Sequence, residues 1–169
     1  MKLIGTFDMN EIALLIFVGV TYAIMVILPK VLSTELTILS IVWGFTIGVV
    51  FDFTIGGGRL DYYRVNDINH YELFDFVYYM LFVPFGYCFN YFYEVLRIRG
   101  LFSILYIVVW AGIGIGAQFV FSLLHIITLQ NGYKLVHSLP VFLIIQTVTA
   151  FIYAYIKKEE QKSKSKENE

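Results

Sequence analysis

Cysteine, charge and basic character are all scarce in this chain. The single cysteine, Cys88, has no partner for an internal disulfide, and no spacing suits zinc or an iron–sulfur cluster. Only 15% of the residues are charged, and the net charge is −1. No basic face is available to neutralise phosphates, so nucleic acid is not an expected partner. Catalytic motifs are missing too. There is no Gly-x-Ser-x-Gly and no His-Glu-x-x-His. Gly56, Gly57 and Gly58 are followed by Arg59 and Leu60, not by the Lys-Ser/Thr of a phosphate-binding loop. They read as a flexible exit from a helix. A thiolate at Cys88, deep in an apolar run, is disfavoured.

What is there is oil. The 169 residues are 59% hydrophobic and 18% aromatic, against about 45–50% apolar in a soluble domain. A bilayer core takes about 20 apolar residues per helix. Five stretches meet that length: 12–28, 36–55, 73–93, 101–127 and 139–156. Helix is the default because lipid offers the backbone no hydrogen bonds, and the stretches are apolar all round rather than alternating as in a barrel. The expected fold is therefore all-α, an integral membrane bundle of about five transmembrane helices. Residues 1–156 form its single domain, and residues 157–169 a short, disordered, charged tail. In that tail Glu159, Glu160, Glu167 and Glu169 nearly cancel five lysines, which argues against lipid binding by charge. Asp8 and Glu11 stand before the first apolar run where a signal peptide carries positive charge, so that run is expected to be retained.

Five spans place the two ends on opposite sides of the membrane. Lys2, Arg59, Arg64 and Lys134 fall on the amino-terminal side. Lys30, Arg97, Arg99, Lys157, Lys158, Lys162, Lys164 and Lys166 fall on the other. Positive charge stays inside. The expectation is a cell-membrane protein with an external N-terminus and a cytoplasmic C-terminus.

Polar groups within spans are costly and point to sites. Asp52 lies one turn inside the outer end of the second span, and Asp75 at the outer edge of the third. Gln118, Ser122 and His125 follow i, i+4, i+7 spacing on the fourth. Gln146 lies about two turns inside the fifth. These six form a candidate pocket opening outward, provided the helices bring them together. Each has a plainer alternative: interface anchoring for the two aspartates and His125, interhelical glue for the glutamines, and a bond to its own helix for Ser122. Arg59, Asp61, Asp67, His70 and Glu72 fall in the external segment 56–72. No ligand spacing is specific there, so a solvated lid is expected rather than a metal site.

Small residues mark where helices touch. Ser40, Gly44, Gly48 and Asp52 make one stripe, and Gly112 and Gly116 another. The expected arrangement packs the first stripe against the second, or uses one of them for a homodimer. The third span is the most aromatic. Pro84 within it frees the carbonyl of Met80 and should kink the helix. Asn90 and Glu94 share a face near its inner end.

The Pro84-Phe85-Gly86-Tyr87 stretch and the run from Trp110 through Gln118 to His137-Ser138-Leu139-Pro140 resemble a family. It comprises small multipass membrane proteins of spore-forming Firmicutes, and the resemblance covers residues 36 to 158. It implies a multipass helical fold in the plasma membrane and supplies no activity, cofactor or catalytic residue. The family pattern has glutamate where Gln118 stands and tryptophan near Tyr133, so a proton relay through the fourth span is weakened.

The leading functional expectation is a non-enzymatic structural or accessory membrane subunit that binds the bilayer and a second copy or a membrane partner, with no cofactor. The alternative is a small transporter, channel or lipid or small-molecule binder built on the outward polar pocket. A lipid-acting enzyme using Asp52, Asp75 and His70 ranks last, because nucleophile and metal spacing are both missing.

Overall fold

The computed structural model describes residues 7–56, 60–65 and 73–167. The chain is helical almost throughout: α1 (Met9–Ile27), α2 (Thr34–Thr54), α3 (Leu73–Met80), α4 (Phe82–Val95), α5 (Phe102–Leu123) and α6 (Ser138–Glu167). Four helical segments, Met9–Ile27, Thr34–Thr54, Phe102–Leu123 and Leu135–Lys166, are long and apolar enough to cross a membrane. The all-α membrane-type bundle expected from the sequence is the fold observed.

Local chemistry sets the helix limits. Glu11 in the first turn of α1 accepts a bond from the Asp8 amide at 2.7 Å, and Pro29 follows the other end. Ser33 caps α2 by accepting from the Leu36 amide at 3.3 Å. The expected third span, 73–93, is two helices of 8 and 14 residues that meet at Leu81. The cause is Pro84, which has no N–H for the Met80 carbonyl and whose ring crowds it. Together the two pieces supply about 33 Å of helix at 1.5 Å per residue, one hydrocarbon thickness.

Three expectations need correction. The fourth span does not run to Ile127. Its helix stops at Leu123, and His125 turns left-handed with φ 56°. The Ile126 amide then reaches back to the Phe121 carbonyl at 2.9 Å and the His125 amide to that of Ser122 at 3.3 Å. This is the usual left-handed helix stop, closed by buried Ile126, with histidine where glycine is the common residue. The residues beyond form a strand, β2 (Ile127–Leu129), antiparallel to β1 (Tyr63–Val65), with Tyr63 opposite Leu129 and Val65 opposite Ile127. Second, residues 157–167, expected to be disordered, continue α6. Lys162 pairs with Glu159 at i, i+3 and Lys164 with Glu160 at i, i+4, so the charges that nearly cancel also support the helix. Ser33 donates to Glu160 at 3.1 Å, tying this extension to the start of α2.

Third, the glycine stripe of α2 does not face that of α5. It faces α4. A Cβ on Gly44 would strike the Phe82 carbonyl and sit 3.1 Å from the Val83 Cα, while one on Gly48 would lie 2.7 Å from the Phe82 ring. Gly86 answers from the other side, its own Cβ position lying 3.1 Å from the Gly44 Cα. Asn90 completes this seam by donating to Ser40 Oγ at 2.8 Å. Gly112 and Gly116 have open space where a side chain would stand. It is Gly114 that touches a helix, against the Phe142 ring of α6.

Two layers result. α1, α2, α3 and α4 pack on one another, and α5 packs with α6. Aromatic contacts join the layers at one end, where Tyr106 of α5 donates to the Phe89 carbonyl of α4 at 2.6 Å. Phe17 and Phe121 meet edge-to-face at the other end, with centroids 5.2 Å apart.

Candidate functional site

Between the layers lies a cavity of about 660 Å³. Its volume is in the range of small-molecule sites. All of the bundle contributes to its wall: Phe17 from α1, Ile47 from α2, Phe85 from α4, Ile113 from α5 and Phe142 from α6. Tyr63 of β1 and Ile127 of β2 line one end of the cavity, as part of an ordered two-stranded ribbon. Strand alternation explains this. Tyr63, Val65 and Ile127 are buried on the inner face, while Arg64 and Thr128 point away. Tyr62 of the ribbon stacks on Tyr133 at 5.0 Å, and Tyr133 shares a 2.9 Å bond with Ser138 at the start of α6.

The six predicted pocket residues divide. Gln118 and Gln146 both stand on the cavity wall, from adjacent helices. Asp52, Asp75, Ser122 and His125 do not. His125 is exposed beyond the end of α5, so its i+7 relation to Gln118 is lost. Ser122 is half-buried, one position past the last α5 residue on the wall, Phe121. Asp75 is buried in the first turn of α3, where the helix dipole favours a carboxylate. Asp52 is buried and accepts a 2.6 Å bond from Tyr79. It neighbours the wall residue Tyr63, since a Cβ on Gly56 would lie 2.8 Å from Asp52 Oδ1 and 2.9 Å from the Tyr63 ring. Burial, and after it the nearby Tyr78 and Asp52, pushes the Tyr63 phenol well above its ordinary value, so it stays protonated. Among Arg59, Asp61, Asp67, His70 and Glu72 of segment 56–72, only Asp61 is within the described residues, bonded to Gln130 at 3.1 Å. No group of three or more potential metal ligands occurs among the described residues.

Some polar groups on the wall are bonded within the protein and others, the two glutamines among them, are not. Trp43 Nε1 on the wall donates to Thr149 Oγ1 at 2.8 Å, and that hydroxyl donates to the Ile145 carbonyl. Thr21 bonds its own helix. Gln146 is 3% exposed and its carboxamide has no hydrogen-bond partner among the described residues. Gln118 Oε1 is buried without a partner as well. Buried polar atoms are nearly always paired. Two unpaired carboxamides on one wall are therefore an unmet demand for hydrogen bonds.

No charged residue is among the described residues that line the cavity. Charge collects instead at the far end of the bundle, where Glu94 of α4 accepts from Tyr153 and Lys157 of α6. The cavity is also open on one side. Ile24 of α1 and Ile113 and Val120 of α5 line it and yet remain exposed. Its opening therefore lies between α1 and α5, on the apolar flank of the bundle. Sequence reasoning missed Trp43, Thr149 and Tyr63 as wall residues. The rarity of tryptophan was the one available signal for Trp43, and no local pattern marks the other two.

Comparison of the chain with protein-family models, with curated proteins and with solved structures finds no match in any of the three.

Proposed function

We propose that the chain is a membrane-embedded binding protein for a lipid-like molecule, which reaches the cavity sideways between α1 and α5. This is the binder alternative raised by the sequence, relocated from the outward aspartates to the interior glutamines. The carrying observation is the 660 Å³ apolar cavity with its two unpaired carboxamides. A concave apolar site with a few convergent polar groups is the usual form of a small-molecule pocket. An opening on the apolar flank favours a ligand already dissolved in the bilayer.

Ala117→Trp tests the reading, because it pushes a large ring from α5 into the cavity. Native mass spectrometry of the purified wild type should show a retained lipid-sized mass. The variant should lose that mass at unchanged helix content. A wild type that retains nothing, or a variant that retains as much, overturns the reading.

One observation favours the accessory-subunit reading instead. Gly112 has no neighbour on the exposed flank of α5, which leaves room for another helix. A stable complex that survives purification would support it. The proposed location is the plasma membrane, as the family resemblance implies. The cytoplasmic side is the one bearing Lys157 to Lys166, by the distribution of lysine and arginine. An impermeant maleimide on intact cells should label a cysteine placed at Asn131 and spare one at Lys166. The reverse pattern would invert the assignment.

A further inference from the structure

Resting on that binding reading, we infer that the ligand is a neutral long-chain amphiphile whose polar end is a hydroxyl that bonds the wall carboxamides of Gln118 and Gln146.

The chemistry of the wall selects the head group. A carboxamide offers a carbonyl that accepts and an NH2 that donates. Two of them, both lacking protein partners, call for a group that does both. A hydroxyl does so with one oxygen. A carboxylate or phosphate accepts only and brings a charge. Burying a charge without a counter-charge costs several kcal/mol, and none of the described wall residues carries one. An alkane leaves both carboxamides unpaired.

The two glutamines are spread along the wall. Gly114 of α5 faces Phe142 of α6, and from that level Gln118 lies one turn toward the β1–β2 ribbon and Gln146 one turn the other way. Trp110 lies eight residues before Gln118, about 12 Å along the α5 axis and on the same side as Gln146. Around it the wall is made of Phe85, Cys88 and Phe92, which have no strong hydrogen-bonding side chain to offer. An apolar tail has this aromatic wall to lie against.

The molecule carries its own reporters. Its only two tryptophans, Trp43 and Trp110, both line the cavity. Bromine quenches tryptophan at contact, so three probes of equal chain length separate the possibilities: 12-bromododecanol, 1-bromododecane and 12-bromododecanoate. They are titrated into the full-length protein in lipid nanodiscs. The alcohol should quench saturably, at a concentration about tenfold lower than the alkane, since one well-made buried hydrogen bond is worth about 1.4 kcal/mol. The acid should do no better than the alkane. The double variant Gln118→Leu/Gln146→Leu, which puts larger apolar groups on an already apolar wall, should bring alcohol and alkane together.

Saturable quenching by alcohol and alkane at the same concentration would sink the head-group assignment and leave the cavity reading standing. So would an acid as potent as the alcohol, or a double variant that still prefers the alcohol. Quenching that never saturates with any probe would overturn both.

Discussion

The seam between α2 and α4 and the flank of α5 carry the same kind of sequence and reach opposite ends. Each has glycines four apart, Gly44 and Gly48 in one and Gly112 and Gly116 in the other. At the first, two backbones come together. At the second, nothing stands within 4 Å. The difference is on the facing helix. α4 presents Gly86 and a backbone bent at Pro84, so a groove meets a groove. α5 instead uses Gly114, one face round, against Phe142, and its remaining glycines border the cavity opening or the exposed flank. Spacing of small residues permits close approach; it does not say which helix will approach.

Substitutions can break this contrast, and the most damaging should lie in the seam. Gly44→Ala drives a methyl group into the Phe82 carbonyl, a backbone atom that cannot move without shifting α4. A loss above about 3 kcal/mol is expected, at the severe end of overpacking. Purified protein should show it as a collapse in yield and in the midpoint of denaturation in detergent. A normal midpoint would mean the helices do not meet there. Asn90→Ala removes the 2.8 Å bond to Ser40 and leaves a small void, with a cost of about 1–3 kcal/mol in the same assay. Ser40 still donates to the Leu36 carbonyl, which limits the damage.

On α5 the sign should reverse. Gly112→Ala meets no atom and improves helix propensity, so the midpoint should stay or rise, by up to about 1 kcal/mol. A marked loss would expose a partner on that flank. His125→Gly relieves a left-handed residue at the helix stop and should stabilise by about 0.5–1 kcal/mol. Destabilisation would show that the imidazole makes a contact of its own.

The same contrast explains how far the sequence could be read. Long apolar runs fix helices because lipid leaves the backbone no alternative, and Pro84 names the one kink. These are one-dimensional facts. The end of α5 was hidden because histidine sits where glycine would have marked the stop, and the apolar Ile126 and Ile127 then resemble more helix. Their β-branched character was the signal for a strand. The extension of α6 was hidden because composition was weighed without the i, i+3 and i, i+4 pairing of its charges. Of the six candidate residues, two, Gln118 and Gln146, line the cavity. Asp52 found Tyr79 instead, a pairing between helices that no spacing along the chain can reveal.

The length of α6 has a mechanical consequence. Thirty residues make a rod of about 45 Å, longer than the hydrocarbon layer by roughly 15 Å. Its last turns therefore stand clear of the oily slab as a stiff stalk, braced near its base by Glu94 and by Ser33. One rigid helix therefore runs from the cavity wall at Gln146 to the charged turns at its far end.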